Sequence, residues 1–436
     1  MAGGNMKNLC DDMLINILLR IPVKSLIRFK CISKILYDLI QSSVFINLHK
    51  NRTIIKDELL LLKRSIKVAP LEYNNVLSFL SGHDDNINDL KPVYPDLYIP
   101  RLTSRHGHRC YETIGPCNGL IVLTDFDAIV LFNPATRNYR ALPLSPFKRK
   151  VRFHRSMRGG LGFGYDWISN DYKFVKLSEI FRDPPQWHPN EDREKTVEIY
   201  DLNIGSWRVF NYDCEEFPSV HWLPCFEIFY KGAYHWSAYA ETTIILCFDM
   251  TSETFRGIKM PHTCHPYDAK LYSLVILNES LTLICYAGKQ TVPDPIRDLT
   301  DIWVMKEYGV YESWIKKYTI KPLYIEATIL LLKDHLLLLQ SFSGQVMSND
   351  LNSDKLEEVN FFSIAHSFTM IIYKECLTPV PKMEDTVEHN SMILEKVYLF
   401  NFNLMNFQHT CVLQDSTTFF FLFCLRYLSL SFQLPP

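Results

Sequence analysis

The sequence has 436 residues, 47% of them hydrophobic, a content that excludes a largely disordered chain and suffices for two structured units. Its 46 basic and 48 acidic residues give a formal net charge of −2. No overall field therefore attracts this protein to nucleic acid or to an anionic membrane, and its partners must be selected by local surfaces.

The first residues, Met1 to Asn8, lack the apolar run of a secretory signal. No later stretch is long enough and free enough of charge to cross a bilayer. We therefore expect a cytoplasmic or nuclear protein without membrane association. Its 12 cysteines are scattered from Cys10 to Cys424 without zinc-finger spacing, which in a reducing compartment predicts buried thiols rather than disulfides.

The region from residue 9 to 50 predicts a small helical unit of three helices. Asp11 or Asp12 can cap a first helix that ends before Pro22. Pro22 then suits the first turn of a second helix, and a third helix begins near Ser33. The apolar positions at helical spacing are Met13, Leu14, Ile17 and Leu18, then Val23, Leu26, Ile27 and Phe29, and finally Ile35, Leu36, Leu39 and Ile40.

A helical unit of about 40 residues is near the lower limit for independent folding. It is therefore expected to leave apolar surface for a partner protein to cover. The alternative is a helical cap that packs only on the chain's own second domain, and periodicity alone favours this alternative.

From about residue 57 the pattern changes to short runs of β-branched and aromatic residues separated by Gly, Pro, Asn and Asp, which predicts an all-β region. A turn element recurs there: an Asn or Asp ends one strand, and an apolar residue stands six positions later in the next. The pairs are Asn133 with Tyr139, Asp201 with Trp207, Asp249 with Phe255, and Asp350 with Leu356.

Their spacing of about 50 residues is the length of a four-stranded kelch-type blade, with Trp303 to Trp314 marking a missing member of the series. There is room for about six blades between residues 60 and 380, so we predict a β-propeller. A pair of β-sandwiches is the competing fold. The apolar run from Ile329 to Gln340 predicts two buried strands joined by a turn at Lys333 to His335.

Several longer strings resemble a known family. The segment RIPVKSLIRFKCISK, Arg20 to Lys34, resembles the plant F-box, and QSSVFINLHKNR after it resembles the S-locus F-box proteins of Solanaceae. Further similar strings are LSFLSGHDD (Leu77 to Asp85), GPCNGL (Gly115 to Leu120), NPATRN (Asn133 to Asn138), IWVMKEYGVYESWIKKYTIKPL (Ile302 to Leu323) and KECLTPVPK (Lys374 to Lys382).

This resemblance implies an α+β chain with three parts: a small three-helix F-box at residues 6–50, an all-β kelch-like propeller at 57–382, and an atypical hydrophobic tail at 383–436. It also implies the substrate-recognition subunit of an SCF-type cullin ubiquitin ligase, which binds a Skp-type adaptor and, through it, the cullin. The positions that correspond to adaptor contacts in F-boxes are Leu9, Ile21, Pro22, Val23 and Leu26.

The same resemblance implies a pollen protein of self-incompatibility that recognises S-locus ribonucleases. A basic ribonuclease calls for an acidic rim, and by charge alone the candidates are Asp84, Asp85 and Asp89, or Asp183, Glu191 and Asp192. Such a receptor is not an enzyme, and we expect no cofactor or metal. The alternative is a propeller enzyme or a lectin-like binding protein whose N-terminal helices only pack on it.

The chain departs from the family pattern in its F-box and in its tail. The usual Leu-Pro opening of the F-box reads Leu9-Cys10, and the usual Trp of the third helix is Leu36, which removes aromatic area. The tail at 383–436 includes Phe419, Phe420, Phe421 and Phe423, and we interpret it as translated non-coding sequence or a splice variant.

Four other clusters have simpler interpretations. His106, His108, Cys110 and Cys117, and likewise His262, Cys264 and His265, contain metal-capable side chains but no matching second pair. The glycines at 159, 160, 162 and 164 have no P-loop lysine, so a tight entry into a blade is favoured over a phosphate site. The basic run Lys148, Arg149, Lys150, Arg152, Arg155 and Arg158 is interpreted as a solvated loop; nucleic-acid binding is the alternative.

Overall fold

The computed structural model describes residues 11–52, 58–69, 72–81, 90–99, 112–124, 128–143, 145–146, 154–182, 194–210, 221–222, 227–239, 243–262, 264, 270–287, 298–322, 325, 327–332, 335–362 and 368–381. All of them belong to the first of the chain's two units, Met1–Val387.

The N-terminal unit is helical, as the periodicity predicts. Its described part contains α1 (Asp11–Leu18), α2 (Val23–Phe29), α3 (Lys34–Gln41) and α4 (Ser43–Asn51). The three predicted helices are confirmed, but the predicted number is wrong because α4 is a fourth. The signal for α4 in the sequence is Ser42, a residue type favoured at helix N-caps. Its hydroxyl accepts a hydrogen bond from the Phe45 amide, as the hydroxyl of Ser33 does at the start of α3.

The core of the helical unit is formed by one apolar side of each helix. Buried together are Leu18, Val23, Leu26, Leu36, Ile40 and Phe45, and Leu377 joins them from the far end of the chain. Leu36, at the position where the family has Trp, is 7% exposed and so lies in this core. The smaller side chain therefore reduces the packed area inside the unit.

The β region forms six sheets arranged as the blades of a propeller, which confirms the predicted fold and excludes the pair of β-sandwiches. The first three blades contain β1 (Glu58–Ala69), β2 (Glu72–Ser81) and β3 (Leu97–Ile99); β4 (Glu112–Cys117), β5 (Leu120–Thr124), β6 (Ile129–Asn133) and β7 (Asn138–Leu142); and β8 (His154–Asp166), β9 (Asp171–Arg182), β10 (Glu194–Asp201) and β11 (Ser206–Phe210).

The remaining strands complete the ring. They are β12 (His221–Trp222), β13 (Ile228–Tyr230), β14 (Ala233–Tyr239), β15 (Thr243–Asp249) and β16 (Phe255–Lys259); β17 (Lys270–Leu277), β18 (Ser280–Ala287), β19 (Thr300–Met305) and β20 (Trp314–Ile320); β21 (Ala327–Leu332), β22 (Leu336–Gln340), β23 (Gln345–Asp350) and β24 (Lys355–Phe362); and β25 (Thr369–Lys374).

The ring is closed by the last strand. The first sheet has the order β25-β1-β2-β3, so the last of the described strands pairs antiparallel with the first, from Glu58 opposite Lys374 to Lys63 opposite Thr369. Strand β25 also lies against β4 of the second blade and β21 of the sixth. This strand therefore joins the two ends of the propeller, because it completes the first blade with a strand from the far end of the domain.

The recurring turn predicted from the sequence is present in the blades. The side-chain oxygen Oδ1 of Asn133 accepts hydrogen bonds from the amides of Ala135 and Thr136, at 3.0 and 3.2 Å. Asp249 and Asp350 accept equivalent bonds from backbone amides in their own turns. Asp201 is the exception, because its carboxylate binds Arg208.

Two weaker predictions about strands are also confirmed. Strands β19 and β20 pair Met305 with Trp314, so the Trp303 to Trp314 segment forms the hairpin between the last two strands of the fifth blade. The apolar run from Ile329 to Gln340 falls in β21 and β22, which pair as a hairpin.

The glycines of β8 correct one prediction, because they lie inside a strand rather than at a tight blade entry. Gly160, Gly162 and Gly164 alternate along β8, and each faces large side chains of the fourth blade. A Cβ atom on Gly162 would lie 2.9 Å from the Trp236 ring, and one on Gly164 would lie 2.6 Å from the Phe229 ring. The glycines are therefore needed because neighbouring blades approach closely here.

We predict that Gly162→Ala destabilises the protein, because the added methyl overlaps Trp236 and overpacking of this kind costs about 1–3 kcal/mol. Urea unfolding should show a lower midpoint with an unchanged slope. Lys259→Ala, at an exposed strand position, is the control and should stay within about 0.5 kcal/mol of the wild type. Equal midpoints for Gly162→Ala and the control would contradict the close approach of the blades.

Candidate functional site

The helical unit sits on one end of the propeller, which we call the proximal face. In a four-stranded antiparallel blade the first and third turns lie at the same end. The proximal face carries these turns, including 118–119 and 134–137 of the second blade. The turns between second and third strands lie at the opposite, distal face.

The helical unit and the propeller are joined by residues 375–381, here called the closing segment. This segment follows β25 across the proximal face. The Asn133 amide nitrogen, in a fully buried side chain, donates to the carbonyls of Cys376 and Thr378, at 3.0 and 2.8 Å. The Thr378 hydroxyl donates to the Asn118 carbonyl at 2.7 Å. Arg140 donates to the Pro381 carbonyl at 3.1 Å.

The closing segment leaves no space for a side chain at Gly119. A Cβ atom there would lie 2.3 Å from the Cβ of Cys376, and the φ angle of Gly119 is +78°. The nearby phenol of Tyr373 donates to the Gly119 carbonyl at 3.3 Å and accepts from the Ala135 amide at 3.2 Å. The strings GPCNGL, NPATRN and KECLTPVPK, far apart in sequence, therefore meet at one structural junction.

Leu377 connects this junction to the helices. Its side chain is 4% exposed and belongs to the helical core, against which Ala135 also packs. The Lys374 ammonium donates to the Arg52 carbonyl just after α4. The Lys50 ammonium lies 5.2 Å from the Tyr165 ring and 5.4 Å from the Trp167 ring of the third blade, within cation–π range. One side of the helical unit is thus fixed to the propeller.

His49 lies inside this junction as a neutral side chain. It is fully buried, and burial, followed by the positive charges of Arg52 and Lys374, lowers its pKa to about 3. The imidazole therefore carries no charge near neutral pH, and α4 packs at this point without an unpaired buried charge.

Elsewhere on the helical unit, exposed apolar side chains occur in pairs three or four residues apart. Met13 and Ile17 of α1 are 59% and 50% exposed, and Val44 and Leu48 of α4 are 66% and 43% exposed. Ile32 and Ile35, at the start of α3, are 67% and 76% exposed. We call these six residues the exposed apolar set. Large apolar side chains grouped in this way are typical of protein-interaction surfaces.

The predicted adaptor-contact residues are distributed differently. Leu9 lies outside the described residues. Pro22 is exposed at the N-cap of α2, and Ile21 is half-buried at the edge of the helical core. Val23 and Leu26 are 0% exposed, because they face the unit's own core, so in this conformation they offer no surface to a second protein.

The exposed apolar set was not identified by sequence reasoning as a contact surface. Met13, Ile17 and Ile35 were among the apolar positions at helical spacing, and that spacing assigned none of them to an inner or an outer side. A helix of two turns with apolar residues on several sides does not reveal which side faces inward, since helical spacing gives the faces but not their orientation.

The proximal face also contains a network of buried charges between the third and fourth blades. The Lys173 ammonium donates to Asp166 at 2.8 Å and to the Met250 carbonyl at 2.7 Å, and also pairs with Glu253 at 2.8 Å. Burial opposes ionisation of Asp166, but hydrogen bonds from Lys173 and Ser169 outweigh it and hold the Asp166 pKa well below its usual range. This network joins two blades, because Asp166 and Lys173 belong to the third blade and Met250 and Glu253 to the fourth. Breaking a buried pair would leave an uncompensated charge, so the network stabilises their contact.

The predicted acidic candidates all lie outside the described residues: Asp84, Asp85 and Asp89, and Asp183, Glu191 and Asp192. The residues flanking the two groups can be placed. Ser81 and Leu90, around the first group, are at the proximal face, whereas Arg182 and Glu194, around the second, are at the distal face. The residues that flank the first group therefore lie at the proximal face, and the residues that flank the second group lie at the distal face.

The metal and charge clusters can be placed only in part. His106, His108, Cys110 and His265 lie outside the described residues, as do Lys148, Arg149, Lys150 and Arg152. Cys117 is buried, which raises the pKa of its thiol to about 12. Within the part of the chain that the structure describes, His, Cys, Asp and Glu form no group of three or more that could hold a metal ion. The described helices are all too short or too polar to span a membrane.

Comparisons with known proteins agree with this architecture. Residues 6–48 match the model of the F-box domain, and residues 86–382 match that of the F-box associated beta propeller domain. F-box protein CPR1 of Arabidopsis thaliana is 25% identical over 71% of this chain and 72% of its own length. An F-box/kelch-repeat protein of the same plant is 27% identical over 79% of this chain and 88% of its own length.

We predict that Leu377→Ala loosens the helical unit from the propeller, because it removes the closing segment's side chain from the helical core. Trypsin should then cut faster at Arg52 or Lys56 and release the propeller as a fragment, detected by intact mass. Leu356→Ala, at a residue 45% exposed on β24, is the matched control. Cutting at the control's rate in Leu377→Ala would mean that Leu377 does not fix the helices.

Proposed function

The chain belongs to the F-box proteins that carry an F-box-associated β-propeller, and from this premise we propose that it is the substrate-recognition subunit of an SCF-type cullin ubiquitin ligase. The observation that carries the proposal is the exposed apolar set, on a helical unit that Leu377 fixes to the propeller. A partner that covers the set would be held in a defined orientation relative to the propeller.

The partner at the helical unit is a Skp-type adaptor, and through it the cullin. Ile21, Pro22 and the undescribed Leu9 are proposed contacts, together with the exposed apolar set. Val23 and Leu26 act indirectly, because they pack the core that shapes the contact surface. An adaptor interface of standard size buries about 1,600 Å² in total.

The propeller is the part that holds the target, and its contribution to ubiquitin transfer is proximity. Holding a protein beside a conjugating enzyme raises the local concentration of its acceptor lysines without changing the chemistry. The receptor itself is thus non-catalytic and needs neither a cofactor nor a metal. A rigid junction between helices and propeller favours this mechanism, since a flexible joint would dilute the effective concentration.

We predict that Ile17→Asp and Ile35→Asp each weaken adaptor binding at least tenfold, because each puts an unpaired charge into an apolar interface. Isothermal titration of the full chain with a plant Skp-type adaptor measures the change. Both residues are at least 50% exposed, so folding should be preserved, whereas Val23→Asp would disrupt the helical core.

The control for this experiment is Val209→Asp, at a residue 43% exposed on the outer strand of the third blade. It should bind the adaptor as the wild type does. Wild-type affinity in Ile17→Asp and Ile35→Asp would contradict the assigned surface, and no adaptor binding by the wild type would contradict the proposed function. That second result would favour the alternative of a propeller enzyme or lectin-like protein.

The target that we propose is an S-locus ribonuclease, in a pollen protein of self-incompatibility. Its support is the likeness of the strings between Arg20 and Lys382 to S-locus F-box proteins. The helical unit occupies the proximal face, so the distal face is the one left for a target. Of the two acidic groups, Asp183, Glu191 and Asp192 are in the segment whose flanking strands end there.

We predict that changing Asp183, Glu191 and Asp192 together to Lys abolishes binding to a basic ribonuclease, because attraction becomes repulsion. Changing Asp84, Asp85 and Asp89 to Lys is the matched control, with the same charge change in a segment flanked by the proximal face. A pull-down with a panel of S-locus ribonucleases measures both variants. Loss of binding in the control alone would place the target at the proximal face, and no binding by the wild type would contradict the proposed target.

A further inference from the structure

Two cysteines from neighbouring blades lie side by side in the propeller. Cys264 follows β16 and the fourth blade, and Cys285 is on β18, the second strand of the fifth blade. Their Sγ atoms are 3.5 Å apart, a non-bonded separation. We infer that these two residues are a redox-sensitive site, at which a peroxide converts the two thiols into a disulfide that links the fourth and fifth blades.

The backbone on both sides of the pair is well anchored. The Cys264 amide donates to the Pro261 carbonyl at 2.8 Å, and the Cys264 carbonyl accepts from the Thr243 hydroxyl at 2.9 Å. Cys285 is opposite Tyr272 on one side and Asp301 on the other, in the middle of its sheet. A disulfide needs the sulfurs to approach by only about 1.5 Å, a distance that side-chain rotation can supply.

The two cysteines differ in their exposure to solvent. The Cys264 side chain is 8% exposed and Cys285 is 2% exposed, so Cys264 is the more accessible of the two. Cys247 belongs to the same core cluster but is 0% exposed, and burial raises the pKa of its thiol to about 12. A thiol held in its protonated form is a poor nucleophile, so Cys247 should not compete.

The chemistry is a two-electron oxidation in two steps. The Cys264 thiolate attacks hydrogen peroxide, which forms a sulfenic acid at Cys264 and releases hydroxide, protonated to water. The Cys285 sulfur then attacks the Cys264 sulfur, loses its proton, and expels the hydroxyl as a second water. Both thiols are oxidised to one disulfide, and one peroxide is reduced to two waters.

The bond would cross an apolar boundary between blades. Ile245 and Ile258 of the fourth blade share a core with Tyr272 and Leu274 of the fifth, and this core surrounds the cysteine pair. A covalent link here restricts the unfolded chain between the two blades, so the oxidised protein should resist unfolding better than the reduced one. Oxidation would thus act on the stability of the receptor and not on its surfaces.

The test uses the full chain, reduced with dithiothreitol, freed of it, and treated with hydrogen peroxide near pH 8. Non-reducing digestion and mass spectrometry should find a peptide pair joined between Cys264 and Cys285, which dithiothreitol separates. The exposed Cys31 serves as the positive control, since it must be oxidised in the same sample. Oxidised Cys31 without the joined pair would overturn the inference.

Two variants check the assignment. Cys247→Ser should keep the joined peptide at the wild-type level, because Cys247 takes no part. Cys285→Ser should abolish it and leave Cys264 as a sulfenic acid that dimedone traps. A joined peptide of Cys264 with a third cysteine in the wild type would also overturn the assignment. Neither result depends on adaptor or target binding, so the proposed function is tested separately.

Discussion

The structure depends on the hydrogen bonds that the buried Asn133 amide donates to the carbonyls of Cys376 and Thr378. These carbonyls belong to the closing segment, which crosses the proximal face directly after the strand that closes the ring. Because the site is fully buried, loss of the amide would leave two carbonyls without these donors, at a cost of about 1–3 kcal/mol each. The Asn133 side chain therefore fixes the position of the closing segment, which has two structural roles.

The first role is ring closure and the second is attachment of the helices. Strand β25 completes the first blade next to β1, and Leu377, three residues after β25 ends at Lys374, packs into the helical core. The helical unit is too small to complete its core alone, so part of that core is supplied by the far end of the chain. The consequence is that the helices and the propeller keep one relative orientation, as the proposed proximity mechanism requires.

Much of this fold could be predicted from the sequence because its repeating elements are local. The Asx turns at Asn133, Asp249 and Asp350 need only a side chain and the next few amides, so their spacing revealed the blades. The features that the sequence did not predict depend on contacts between residues that are far apart in the sequence. The β8 glycines are explained by Trp236 and Phe229 of the next blade, and the helical core is incomplete without Leu377.

The candidate site shows the same division. Apolar spacing predicted a helical unit with surface for a partner, and the exposed apolar set fits that expectation. It did not show that Val23 and Leu26 face inward while Ile17 and Ile35 face solvent, since that orientation is set by packing between helices and propeller. The resemblance to F-box proteins implied the class of partner, and the comparisons show an F-box domain and an F-box associated beta propeller domain.

The most direct test of the central claim is hydrogen–deuterium exchange of the wild type and Asn133→Asp. The aspartate keeps the oxygen that accepts from Ala135 and Thr136 but lacks the amide donor. The account predicts faster exchange in both β25 and the helices α2 and α3, because one segment holds both. Faster exchange in β25 with unchanged helices, or no change in either, would contradict it.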